Sequence, residues 1–255
     1  SDVAKEQRAV LVSLDDAQKL FEELIKEKQL ILEMDERGRE YLATREYINI
    51  EQTTLTIATS MMREKPPAFF EILDLERHKK EFERDMGFEL SDDQKAELEK
   101  LVNSKLTIVN GHAGAGKTTV LEVLKRASDE AGIKLVGLTP SGKASEELSK
   151  VTGVGQTIDS FLLATEKMTD VEFKEKYANT IFIVDEVGMV DNRKLHQLLT
   201  RLNRVDCKVI MQGDYKQIKA VSAGDFLKDI SFYVKQDEEL SKSYAELTSI
   251  RRQKI

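Results

Sequence analysis

The chain has 255 residues, 40% of them hydrophobic, enough for one large α/β domain and a smaller companion. A net charge of -7, from 39 basic and 46 acidic residues, argues against a broad basic face for duplex DNA but allows a local groove for a single strand. The single cysteine, Cys207, excludes an internal disulfide framework, and with no apolar run of membrane-spanning length and no leader-like start at Ser1-Asp2-Val3-Ala4-Lys5 the expectation is a cytoplasmic protein without a membrane partner.

Taken in order, Leu14 to Leu30 repeats Leu14, Ala17, Leu20, Phe21, Leu24 and Ile25 at helical spacing. The runs Leu30-Ile31-Leu32-Glu33-Met34 and Tyr41-Leu42-Ala43 flank a charged turn containing Gly38, which predicts a β-hairpin and a winged-helix-like appendage serving as a packing region. Thr44 can cap a helix from Arg45 to about Arg63 that ends at Lys65-Pro66-Pro67. A further helix is predicted over Ala68–Met86, closed by Gly87, and its mixed charges at Glu76–Glu81 read as a solvated face. Ser91-Asp92-Asp93-Gln94 is a capping box opening a helix to near Val102. Gln94 has two possible roles, the cap itself or a paired donor and acceptor that reads an adenine edge.

The strand-like run Leu106-Thr107-Ile108-Val109-Asn110 leads into Gly111-His112-Ala113-Gly114-Ala115-Gly116-Lys117-Thr118, which fits G-x-x-x-x-G-K-[ST], and helical spacing resumes from Val120 to Ala131. In that setting Gly111, Ala113, Gly114, Ala115, Gly116 and Thr119 form a loop whose backbone N–H groups can converge on phosphate oxygens. Lys117 can reach the β- and γ-phosphates, and the Thr118 hydroxyl can ligate Mg²⁺. Binding of a nucleoside triphosphate, ATP with Mg²⁺, is the chemistry expected.

Three more apolar runs follow: Lys134–Thr139, Thr180–Val184 and Cys207–Met211. Ser141 caps a helix over Gly142–Lys150, Asp191 caps another, and Lys167–Lys176 reads as a charged surface helix. Strands alternating with helices predict a mostly parallel sheet covered on both faces, with ligands outside the carboxyl ends of the strands. Asp185 and Glu186, at the end of the second of these runs, can hold the metal and polarise an attacking water, respectively. Gln217 can bridge the γ-phosphate and that water with its amide. His78, His112 and His196 are scattered and predict no metal-binding group of their own.

These segments, read in order, resemble the first RecA-like motor domain of a superfamily 1 DNA helicase, of the RecD-like branch found in the C-terminal part of conjugative relaxase-helicases of the TraA or TraI type. The residues that carry the resemblance are Leu90–Gln94, Gly111–Thr119, Leu138–Ala144, Thr157–Phe161, Val184–Val190, Gln212–Ile218 with Ser222–Phe226, and Glu246–Gln253. Tyr215 stands where the family usually has Pro, and Asp159 where many relatives have His. The resemblance implies a RecA-like P-loop NTPase domain over residues 89–255 after an N-terminal helical region with the hairpin over 1–88. It further implies ATP hydrolysis coupled to five-prime to three-prime movement on single-stranded DNA. Gln94 would contact adenine and Arg252 the γ-phosphate, while Lys117, Asp185, Glu186 and Gln217 would serve the reaction. Thr139, Pro140, Ser141, Thr157 and Ser160 would line the single-strand track. The expected partners are single-stranded DNA, a second RecA-like domain beyond Ile255 that supplies a further arginine, and an upstream relaxase domain. Without that arginine the fragment is expected to be nearly inactive. The alternatives are a RecD-type recombination or exonuclease helicase subunit, and a vestigial helicase domain kept for binding single-stranded DNA.

Overall fold

A computed structural model describes residues 14–34, 40–112, 116–215 and 226–247. The chain divides into two compact units, residues 1–50 and 51–255. In the first, α1 (Leu14–Lys26) precedes the antiparallel strands β1 (Leu30–Met34) and β2 (Glu40–Thr44), paired with Leu30 opposite Thr44 and Leu32 opposite Leu42. Gly38 and its turn lie outside the described residues. Thr44 Oγ1 accepts the Tyr47 N–H at 3.1 Å and so caps α2 (Arg45–Arg63), which runs on into the second unit.

The second unit begins with a departure from the sequence reading. The segment predicted as one helix over Ala68–Met86 is two, α3 (Ala68–Glu71) and α4 (Leu75–Met86). Asp74 is the reason: its carboxylate accepts the Arg77 N–H at 3.0 Å and starts a new helix instead of continuing the old one. Gly87, left-handed at φ 71°, closes α4. Then come α5 (Asp92–Leu101), β3 (Leu106–Gly111), α6 (Lys117–Glu130), β4 (Lys134–Thr139), α7 (Gly142–Thr152), β5 (Gly155–Thr157), α8 (Ile158–Thr165), α9 (Asp170–Tyr177) and β6 (Thr180–Val184). A 3₁₀ turn, Val187–Met189, precedes α10 (Asn192–Leu202), β7 (Lys208–Gly213), α11 (Phe226–Gln236), α12 (Glu238–Ser241) and β8 (Tyr244–Leu247).

Six strands form one parallel sheet in the order β5-β4-β6-β7-β3-β8. Its central strands are apolar at nearly every position because both faces are covered. Leu106, Ile108, Phe182, Val184, Val209 and Met211 face one layer, with Leu195, Leu198 and Leu199 of α10. Val109, Ile181, Ile183 and Ile210 face the other, with Leu98 and Leu101 of α5 and Val120 and Leu124 of α6. This is the RecA-like α/β sheet expected. Strands β5 and β8 were not anticipated; at three and four residues they are too short to show a period.

The stretch expected to be a charged surface helix is one, with all but two residues of α9 exposed, and those two pack inward. Helix α9 buries Phe173 and Tyr177, and both rings meet Phe161 edge-on at 6.2 and 5.4 Å between centroids. Its charges are on the outside, but its aromatic residues belong to the core.

Candidate nucleotide site

The sheet order puts the ends of β3, β7, β6 and β4 side by side, so the loops that follow them share one crevice. The phosphate loop leaves β3 at Gly111. A Cβ there would come 2.8 Å from the Leu247 Cβ, so glycine is what lets β8 lie against this strand. Ala113, Gly114 and Ala115 lie outside the described residues. The loop re-enters at Gly116, left-handed at φ 84°, where a Cβ would come 2.3 Å from the Gln94 Nε2.

Gln94 is what Gly116 makes room for. Its Oε1 accepts the Ser91 N–H at 2.9 Å, completing the capping box of α5, and its Nε2 donates to the Gly116 carbonyl at 3.1 Å. One buried amide therefore caps a helix and braces the phosphate loop, a link that spacing alone did not reveal. Lys117 Nζ donates to the Gly111 carbonyl at 3.0 Å, folding the side chain back over the loop, and the Thr119 N–H donates to the Gly116 carbonyl at 3.0 Å.

A cavity of about 500 Å³ opens beside this loop. Thr118, Ser141, Lys143, Asp185, Glu186 and Gln212 are among its lining residues. The Asp185 N–H donates to the Leu138 carbonyl at 2.9 Å, extending the β4–β6 pairing to the acidic pair, and Asp185 Oδ1 accepts the Glu186 N–H at 2.8 Å. Glu186 adopts φ 55°, a left-handed backbone that costs a non-glycine residue on the order of 1–2 kcal/mol and is typical of functional turns. Burial, and then the neighbouring Asp185, raise the Glu186 carboxyl above the usual carboxylate range; Lys117 pulls it back.

His112 Nδ1 and Asp214 Oδ2 are 2.8 Å apart, tying the start of the phosphate loop to the end of β7. The sequence reading had treated His112 as a scattered histidine. Gln217 and Arg252 lie outside the described residues.

The residues expected to line a single-strand track are brought together, with Thr139 in register with Thr157 on the adjacent β4 and β5. Their polar atoms are already engaged locally. The buried Thr139 hydroxyl donates to the Ser141 carbonyl at 2.8 Å, Ser141 Oγ accepts the Ala144 N–H to cap α7, and Thr157 Oγ1 accepts the Ser160 N–H to cap α8. Pro140 is half-buried, Ser160 is exposed, and Ser141 also lines the cavity beside Thr118.

The oxygen donors of Thr118, Asp185 and Glu186 suit a hard divalent cation with an anionic ligand. Among the described residues no group of three His, Cys, Asp or Glu side chains could hold a metal ion. Also among the described residues, no helix is long and apolar enough to cross a membrane.

Residues 89–255 match the family described as an AAA domain. The chain is similar to the conjugal transfer protein TraA of Agrobacterium fabrum, 33% identical over 167 residues, which are 65% of this chain and 14% of that protein. It is 28% identical over 126 residues to the multifunctional conjugation protein TraI of Escherichia coli K12, covering 48% of this chain and 7% of TraI. To the ATP-dependent RecD2 DNA helicase of Deinococcus radiodurans it is 28% identical over 136 residues, covering 53% of this chain and 19% of the relative. The chain thus spans a small part of each relative's length. With a phosphate loop and an acidic pair at the ends of neighbouring parallel strands, it belongs to the AAA-domain family and is similar to RecD-like helicases of superfamily 1.

Proposed function

We propose that this domain binds ATP with Mg²⁺ and couples its hydrolysis to movement along single-stranded DNA, as the first motor domain of a conjugative relaxase-helicase. The observation that supports this best is that Thr118, Asp185 and Glu186 line one cavity beside Lys117. Lys117 would leave the Gly111 carbonyl for the β/γ-phosphates. Thr118 and Asp185 would hold the metal, and Glu186 would accept the proton of the attacking water. Bound Mg²⁺ would supply neutralisation of charge on the phosphate oxygens. In this reading Gln94 contacts adenine, Ala113, Gly114 and Ala115 lend backbone donors, and Gln217 and Arg252 contact the γ-phosphate. Thr139, Pro140, Ser141, Thr157 and Ser160 track the strand, five-prime to three-prime. The intact set Lys117, Thr118, Asp185 and Glu186 favours an active site over a vestigial one.

Equilibrium binding of a fluorescent ATP analogue with Mg²⁺ tests the reading. Lys117→Ala should abolish binding, because Lys117 is the residue placed to bring a charge onto the β/γ-phosphates. Equal binding by parent and variant would overturn it.

Among the described residues no arginine lines the cavity. We propose that an arginine from a second RecA-like domain completes it, and that residues 1–255 alone turn over about 10³-fold or more slower. Steady-state ATPase with and without single-stranded DNA measures this, and robust stimulated turnover by this chain alone would contradict it.

A further inference from the structure

The backbone pairing of β3 with β7 ends at Asn110 and Gly213. Beyond that pair, side chains keep the two chain segments joined. Asn110 Oδ1 accepts the Tyr215 N–H at 3.3 Å, and His112 Nδ1 lies 2.8 Å from Asp214 Oδ2. A carboxylate can only accept, so the imidazole donates from Nδ1. Asp214 is buried while the His112 side chain is 42% exposed, so the ring adds little to the core. Gly111, whose carbonyl receives Lys117 Nζ, stands between the two links and is held from both sides.

The other side of this segment meets the acidic pair. Strand β7 packs on the 3₁₀ turn Val187–Met189, and a Cβ at Gly188 would come 3.1 Å from the Asp214 carbonyl oxygen. The Glu186 carbonyl closes that turn by accepting the Met189 N–H at 2.9 Å. Asp214 therefore lies between the entry of the phosphate loop, which its side chain holds, and the turn that Glu186 begins.

We propose that His112 is a positioning residue for hydrolysis: through Asp214 it fixes the entry of the phosphate loop relative to Glu186. The loop's own N–H groups and Lys117 suffice to bind a nucleotide wherever the end of β7 lies. Water activation lacks that freedom, because one strand end holds the γ-phosphate and another holds the carboxylate that takes the proton. A misplacement of about 1 Å between them can slow the reaction by about 10². The inference rests on the nucleotide-hydrolysis reading of the same site.

The test compares the parent with His112→Ala and His112→Asn. Affinity for a non-hydrolysable fluorescent ATP analogue with Mg²⁺ and single-turnover hydrolysis of ATP, with protein in excess, are measured separately. The Asn amide can stand where the imidazole Nδ1 does and donate to Asp214. His112→Ala should bind the analogue as the parent does and hydrolyse ATP up to about 10²-fold more slowly, and His112→Asn should recover most of that rate. A role confined to stability would move neither the rate at saturating protein nor its recovery by Asn. Equal rates in the parent and His112→Ala, a loss of affinity in proportion to the rate, or no recovery in His112→Asn overturns the proposal and leaves the nucleotide reading standing. A parent that fails to bind, or binds without hydrolysing, overturns both.

Discussion

Glu186 is held in an unfavourable backbone conformation, half-buried, next to a second carboxylate whose Oδ1 accepts its own N–H. Burial and Asp185 raise its carboxyl, which makes it a stronger proton acceptor once ionised. The sign follows: hydrolysis by this residue should rise with pH through the raised transition and level off above it, because only the carboxylate can take the proton. Glu186→Gln should keep nucleotide affinity, since Asp185 and Thr118 remain for the metal, and slow the chemical step by about 10²–10⁴. Single-turnover hydrolysis with saturating protein separates the two effects. Equal losses of affinity in Glu186→Gln and Asp185→Ala would instead mean that both carboxylates serve the metal.

At the scale of elements, what was legible in the sequence were the features with a strong period or a definite cap. The runs at Leu106, Lys134, Thr180 and Cys207 became adjacent strands, the last beginning at Lys208, and Ser91, Ser141 and Asp191 are N-caps as expected. Asp74 was not read as a cap because it lies inside a stretch whose helical spacing continues on both sides. Glu97 carried a signal that was missed: it is charged yet falls on the buried side of α5 with Gln94, Leu98 and Leu101. The His112–Asp214 pair could not be read, since it joins residues 102 positions apart through a strand order that spacing does not reveal. The buried face of surface helix α9 was not read because its eight residues are mostly charged, and Phe173 and Tyr177 find Phe161, and Tyr177 also Phe182, only in the folded chain. Phe173 is therefore a core residue, and Phe173→Ala should destabilise the domain by about 3–5 kcal/mol. Urea unfolding followed by circular dichroism measures it. A loss within about 0.5 kcal/mol would return α9 to the surface role read from its charges.

For the whole molecule, the question is how a chain of net charge -7 would engage a polyanion. Many of its cations are already paired with carboxylates: Lys194 with Asp159, Lys125 with Asp129, Arg126 with Asp85 and Arg204 with Asp170. The Lys194–Asp159 pair joins α10 to α8 beside the proposed track, so a strand arriving there meets a neutralised lysine. The chain has no Trp, and the polar atoms of Thr139, Ser141 and Thr157 are committed to turns and helix caps. Backbone carbonyls, backbone N–H groups, the exposed Ser160 and the exposed Lys143 at the start of α7 are what remain beside this track to touch a strand. Such contacts release few counterions. If two or three phosphates are neutralised, the slope of log K against log salt for single-stranded DNA should be about -1.4 to -2.1. Fluorescence anisotropy with a labelled oligonucleotide, repeated across salt concentrations, measures both affinity and slope. Weak binding with that shallow slope is expected, together with weaker binding to the matching duplex, which cannot splay its bases against the strand ends. Tight duplex binding with a slope several times steeper would require a basic surface that neither the charge balance nor these ion pairs supply, and would overturn the single-strand assignment.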